Sequence, residues 1–455
     1  MKRHSPLPAP YSPSIGTPRR SPGGKNHRKR LSIALTLVVA ALIVGAGAVY
    51  GIPLLEGWFP PTTPGPTAAA TTTPPPETPT TAPTATPTPP AATPGPVVEI
   101  RLVDIGDILL HTAVIKSALE TGGDYDFTRM FHTLGGLLTA ADLAFADMEG
   151  TLAGTPYSNF PRFSVPDEIA AGLFNAGIDV SVTANNHMYD RGTDGLLRTV
   201  SVLRAAGLTV AGTRADATEP NFQLLDRKGI RIGVAAYTFE TPSSDGKTRI
   251  NGLPLEAAAV PLINTFNPYA ADFADDIARM VQVEKDMRAA GAELTVFVLH
   301  WGDEYHTDVN PYQKRLAQAL ADAGVDVIFG QHPHCVEGIS VLTSADGTHE
   351  MPVFYSVGNF ASNMIYSTNG TKGITEDGIV AGVTVRRSED GTVRVVAADY
   401  LPIYCYKVHE SRHETVPATD PRADPRSLAR TRAIIGDATG TATLPIREIT
   451  FTRGG

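Results

Sequence analysis

From residue 97 onward the chain alternates two kinds of segment. Short apolar runs predict buried strands at 97–103, 143–146, 179–184, 232–237, 294–299 and 327–330. Between them, stretches with helical periodicity predict helices over 126–141, 166–176 and 311–323, the second stopped by Gly177. This alternation is that of an α/β domain. Residues 238–270 break it and read as a long irregular insertion, the kind of segment that forms lids and binding loops. Residues 407–455 read as an extension packing on the domain 97–406, with an exposed loop, a short helix at 428–435 and a last strand at 446–452.

Before residue 97 the pattern changes. Residues 31–55 are uncharged, apolar on every face and preceded by Arg28-Lys29-Arg30. About 20 apolar residues suffice for a membrane-spanning helix, and the basic flank is expected to stay cytoplasmic. A single-pass cell-membrane protein with its main domain outside the cytoplasm is therefore expected. A cleaved signal is the alternative, since Ala46-Gly47-Ala48 resembles a cleavage site. Residues 56–96 are Pro/Thr/Ala-rich, which favours a semi-extended spacer. Residues 1–30 carry eight Lys and Arg and no acid, and read as a disordered tail.

Charge narrows the function classes. The whole chain carries −9 despite that tail, so the remainder is more acidic still. A bulk positive field for nucleic acid is excluded, and a polyanionic substrate must be met by a local patch or a metal. No fixed-period repeat and no phosphate-cradling Gly-rich loop is present, which excludes nucleotide-driven polymerisation by this chain. Cys335 and Cys405 read as small buried residues or as a disulfide pair.

The chemistry sits at the strand tips, where open α/β sheets place their ligands. The first strand ends in Asp104-Ile105-Gly106-Asp107, with His111 shortly after, and Asp107 is the foremost metal-ligand candidate there. The second ends in Asp147-Met148-Glu149; alternation puts the two acids on one side, one to bind metal and the other to support it. The third delivers Asn185-Asn186-His187 and then Asp190, joining a hard amide ligand to a candidate general acid. The next leads into His300-Trp301-Gly302-Asp303-Glu304. The last presents His332-Pro333-His334, expected on one side of an extended segment. Trp301 and Asn359 are candidates for the substrate cleft, and Glu304 for its rim.

Gly106-Asp107, Asp147-Met148-Glu149-Gly150, Ala184-Asn185-Asn186-His187, His300-Trp301-Gly302-Asp303-Glu304-Tyr305, His332-Pro333-His334 and Tyr355-Ser356-Val357-Gly358-Asn359-Phe360 resemble, in order and spacing, the CapA family of poly-γ-glutamate capsule biosynthesis proteins. That family is similar to the calcineurin-like metallophosphoesterases. The resemblance implies a two-sheet sandwich flanked by helices and two divalent ions (Mn, Fe, Zn or Mg). It implies that Asp107 and His334 hold the first ion, that Asn186, His300 and His332 hold the second, and that Glu149 bridges them, with His187 as the acid. Two departures stand out. Asp147 replaces an Asn common in the family, and the histidine usual two residues after the first aspartate is absent, with His111 the alternative. The implied activity is hydrolysis of a phosphoester or amide in the envelope, beside capsule synthesis and export proteins. The alternative is a non-catalytic, metal-assisted binder of the anionic polymer.

Overall fold

Strands that read as unbroken apolar runs do so because both of their faces are covered. In chain order, β1 (Val98–Ile108), β2 (Leu143–Met148), β3 (Val180–Val182) and β4 (Thr209–Ala211) lie parallel in one sheet. Next come β5 (Gln223–Arg227), β6 (Ile230–Phe239), a hairpin of β7 (Arg249–Ile250) and β8 (Leu253–Pro254), β9 (Thr265–Phe266), β10 (Leu294–His300), β11 (Val327–Gln331), β12 (Ile339–Thr343) and β13 (Glu350–Phe354). Apart from the hairpin these form a second sheet, ordered β12-β13-β11-β10-β6-β5 with β9 on β6. The chain then returns to the first sheet with β14 (Asn359–Ala361), β15 (Asp377–Arg387), β16 (Val393–Val408), β17 (Arg412–Pro417) and β18 (Ile446–Glu448). Its order is β17-β16-β15-β1-β2-β3-β4, with β14 on β1 and β18 on β16.

This computed structural model describes residues 95–365, 372–408 and 410–451, all within one of the chain's two compact units, Thr88–Gly455. The basic tail, the apolar run 31–55 and the spacer up to residue 94 lie outside the described residues. Among the described residues no helix is long and apolar enough to cross a membrane.

Successive residues of a strand serve different cores. Ile100, Leu102 and Phe145 meet Val234, Val296, Val298 and Phe329 between the sheets. Val103, Ala144 and Ala146 instead pack outward against α1 (Thr112–Ala118), α2 (Thr128–Phe131), α3 (Gly135–Thr139), α4 (Glu168–Ala176) and α5 (Gly192–Ala205). On the other side Ala235, Phe297, Leu299 and Ile328 pack on α6 (Phe273–Ala289) and α7 (Pro311–Ala323). The result is a four-layer sandwich of helices, sheet, sheet and helices, with α8 (Ser427–Ile435) near the C-terminus.

Three expectations change, and the two readings of the cysteines are decided. The helix expected over 126–141 is two short ones, α2 and α3, separated by a turn at residues 132–134. The insertion 238–270 is not irregular throughout: β6 runs on to Phe239, β9 pairs with it, and β7 and β8 form a hairpin. β16 crosses residue 406, and β17 and β18 join the same sheet, so residues 407–451 continue the sandwich rather than packing on it. Cys335 and Cys405 are free and buried, each directing its sulfur at a backbone carbonyl, that of His306 and that of Phe360, both at 3.1 Å.

Candidate metal centre

At the tip of β1 the backbone must pass close to β14. Gly106 has φ +79°, and a Cβ there would stand 2.2 Å from the Gly358 carbonyl oxygen, so only glycine fits. The close approach lets the Asp107 N–H donate to Gly358 O at 3.2 Å and sets Asp107 in register with Asp147 on β2 and Asn359 on β14. His334 Nδ1 lies 3.0 Å from Asp107 Oδ2 and 3.2 Å from Asn359 Oδ1. The Asn359 amide nitrogen donates to His334 O and Thr375 O, which turns its oxygen toward the ring. Burial opposes a charge on His334, but the hydrogen bond and charge of Asp107 outweigh it and raise the pKa above the usual imidazole value. Nε2 of the same ring is 3.7 Å from Glu149 Oε1.

From the other sheet comes His300. Its Nδ1 donates to Asp147 Oδ2 at 2.8 Å, while Asn185 Nδ2 donates to Asp147 Oδ1 at 2.7 Å. Both Asp147 oxygens are thereby engaged, and the acid orients a histidine from behind, as carboxylates commonly do for metal-binding imidazoles. His300 Nε2 is left facing Asn186 Oδ1 at 3.1 Å and Glu149 Oε1 at 3.8 Å. Burial keeps this ring neutral, lowering its pKa to about 3. Asp147→Asn would keep the shape but present one acceptor to two N–H donors. The expected result is a roughly 10–100-fold loss of divalent-cation affinity in a folded protein, measured by calorimetric titration.

Both oxygens of Glu149 and Nδ1 of His332 are buried without a hydrogen-bond partner. Burial, then the charges of Asp107 and Asp147, pushes the Glu149 pKa well above the carboxylate range, and burial pushes that of His332 down. An orphaned buried carboxylate is costly, and a cation among these donors removes the cost. Glu149, His332 and His334 offer ligand atoms within 4.8 Å of one another, as do Asp107, Asp147 and His300. These groupings cut across the division implied by the family resemblance, and both meet around Glu149. The two loop histidines converge by a route other than alternation: β11 ends at Gln331, and His332 and His334 have φ of 99° and 56°. His332 N–H points at Asp107, 3.3 Å from each oxygen, and its ring lies 4.6 Å from those of His300 and Phe239.

Beside this cluster His187 Nδ1 lies 2.8 Å from Asp190 Oδ2. The carboxylate is held by the N–H of Phe163 at 2.7 Å and by Asn251 Nδ2 at 3.0 Å. Asn185 is a scaffold: its nitrogen serves Asp147 and Met148 O, and its oxygen accepts from His187 N–H. Asn186, His332, Phe239, Thr241, Asn251, Gly252, Tyr269 and Glu304 help line a cleft of about 480 Å³, with Asp303 beside Glu304. Asn251 was missed in the sequence because it lies in the insertion, although Asn251-Gly252 is a strong hairpin-turn signal.

Of four further sequence candidates, three stand apart from the cluster and one lines the cleft. Trp301 is fully buried and donates to Tyr355 O at 2.8 Å, so it packs behind the site and does not line the cleft. His111 falls in neither candidate ligand group: its Nδ1 accepts the N–H of Asn363 at 3.2 Å, and burial lowers its pKa to about 3. Glu304 is at the rim, as expected. Asp104 ties the sheets together, accepting from Gly106 N at 2.7 Å and from Gln331 Nε2 at 3.1 Å. Burial raises its pKa from 3.8 to about 8, so the folded state retains a proton that the unfolded chain loses. Stability from this group is full below pH 4 and is lost as pH rises through 8. Asp104→Asn is expected to flatten that decline, measured as unfolding midpoints from pH 5 to 9.

Residues 101–364 match the family model described as bacterial capsule synthesis protein PGA_cap. The capsule biosynthesis protein CapA of Bacillus anthracis is 27% identical over 271 residues, 58% of this chain and 59% of that protein, so the chain spans under two thirds of that relative's length. The PGA biosynthesis protein CapA of Bacillus subtilis (strain 168) is 26% identical over 301 residues, 65% of this chain and 70% of its own. Among solved structures, the NAD nucleotidase of Haemophilus influenzae aligns with 14% identity and a TM-score of 0.40, covering 77% of this chain and 64% of that one. With more than half of its length matched by the family model, the chain belongs to the bacterial capsule synthesis protein PGA_cap family.

Proposed function

We propose that this chain is a divalent-cation-dependent hydrolase acting on a phosphoester or amide during capsule or poly-γ-glutamate synthesis. The observation that carries the reading is the juxtaposition of two things: the orphaned Glu149 carboxylate among histidines, and a His187–Asp190 pair one residue along from Asn186. A polymer-binding protein needs the cation donors but has no use for an oriented imidazole beside them.

Asp107, Glu149, Asn186, His300, His332 and His334 would hold two divalent ions, and the mixed carboxylate, amide and imidazole set suits Mn, Fe, Zn or Mg. When bound, such ions supply Lewis acidity toward a phosphoryl or carbonyl oxygen. The chain's own residues do the rest. Donation from Nδ1–H to Asp190 leaves His187 Nε2 to carry the proton that a departing oxygen or nitrogen requires. Asp147 and Asn359 hold His300 and His334 in orientation. Asp303 and Glu304 at the cleft, with no Lys or Arg among its described lining residues, disfavour nucleic acid. The apolar run 31–55 and its basic flank support a single-pass membrane protein with this domain outside the cytoplasm, near partners in polymer synthesis and export.

The test is to purify the full chain in detergent and measure bound metals. Turnover of a phosphodiester and of a γ-glutamyl amide is then compared with and without chelator. Chelator-sensitive turnover of either is expected. Stoichiometric metal with turnover of neither would replace this reading with polymer binding.

A further inference from the structure

The insertion between β6 and β9 reaches the acid pair through one side chain. Asn251 and Gly252 form the turn of the β7–β8 hairpin, with φ of 49° and 71°, the positive values that a two-residue turn of this hand requires. Both residues line the cleft. The Asn251 amide nitrogen lies 3.0 Å from Asp190 Oδ1, 3.2 Å from Pro161 O and 3.3 Å from His187 Nδ1. With His187 Nδ1–H donating to Asp190 Oδ2, the ring nitrogen has no lone pair to offer. The two amide hydrogens therefore go to Asp190 Oδ1 and Pro161 O. Asp190 is then held from three directions: the His187 ring, the Phe163 N–H and the hairpin. Without the hairpin, Oδ1 loses this donor and only the two bonds to Oδ2 resist rotation of the carboxylate.

We propose that Asn251 is a positioning residue: it locks the Asp190 carboxylate so that His187 keeps Nδ1–H on Asp190 and turns Nε2, the nitrogen that gives its proton to the leaving group, toward the cleft, and it thereby couples the cleft-lining hairpin to the acid site. The catalytic part of this proposal rests on the hydrolase reading; the structural part does not. A ligand that presses on Gly252 or Thr241 moves the same short hairpin that carries Asn251, since Gly252 N–H donates to Thr241 Oγ1 at 3.0 Å. Occupancy of the cleft and orientation of His187 are in this way linked through one turn.

The test uses the full chain labelled with ¹⁵N-histidine, with the His187 signals identified by their loss in His187→Gln. In the native protein His187 is expected to give a slowly exchanging Nδ1–H signal and the nitrogen shifts of a single tautomer. Asn251→Ala should broaden or remove that signal and give mixed-tautomer shifts, with bound metal unchanged. Asn251→Asp, which turns an acceptor toward Asp190, should do the same. An unchanged His187 spectrum in a folded Asn251→Ala protein overturns the proposal, whatever the activity. Where the native protein turns over substrate, Asn251→Ala should lower kcat roughly ten-fold with little change in KM. A native protein with no turnover refutes the hydrolase reading alone, because the spectrum still decides the role of Asn251.

Discussion

Replacing Glu149 with Gln should make the cation-free protein more stable and at the same time abolish the stabilisation that a divalent cation confers. Both Glu149 oxygens are buried without a partner, in the company of Asp107 and Asp147. An amide of the same shape removes a buried charge whose two oxygens have no hydrogen-bond donor, worth about 1–3 kcal/mol. For a domain of this size that is roughly 1–2 °C in unfolding midpoint per kcal/mol. The gain should grow with pH, because the raised pKa of Glu149 lets the native carboxyl stay protonated under acid conditions and forces its charge only as pH rises. In the unmodified protein, cation at about a hundred times its dissociation constant should add about 2.7 kcal/mol. Thermal unfolding with chelator and with Mn or Zn reads both effects. A variant that is less stable without cation, yet still stabilised by it, would remove Glu149 from the ligand set.

That prediction rests on a residue whose place was legible in the sequence, and the reason is local. Apolar runs buried on both faces leave little choice but strand, so β2, β10 and β11 and their polar tips could be read directly. The start of α7 was equally plain: Asn310 caps it, Pro311 opens it and Gln313 completes a reciprocal capping box, while Gly324 at φ 91° ends it. What the sequence hid depends on contacts between distant segments. Trp301 follows the candidate ligand His300 and looked like a cleft residue, but its indole N–H is claimed by the carbonyl of Tyr355, 54 positions away. The two histidines around Pro333 were expected to converge by strand alternation, whereas two left-handed residues turn them inward after the strand has ended. Asn251 meets Asp190 across 61 positions, a contact for which the local pattern holds no signal beyond the turn itself.

The other large effect separates catalysis from cation binding. His187→Gln should cost roughly 10²–10⁴-fold in turnover of substrates with poor leaving groups while leaving bound metal unchanged. The donor cluster is insulated from the change, because Asn185 accepts from the His187 backbone N–H and not from its ring. Gln also fills most of the space the ring occupies against Phe163, whose ring lies 4.7 Å away, so stability should fall little. A general acid leaves a signature that a structural role does not. Hydrolysis of a nitrophenyl ester, whose leaving group departs without a proton, should fall far less than that of an alkyl ester. Equal losses on both would show that His187 acts through the shape of the site. Loss of metal along with activity would place it in the ligand set. If a strain carrying His187→Gln still builds its capsule while the purified variant is inactive, hydrolysis is not what the pathway draws from this protein, and cation-assisted polymer binding becomes the reading to pursue.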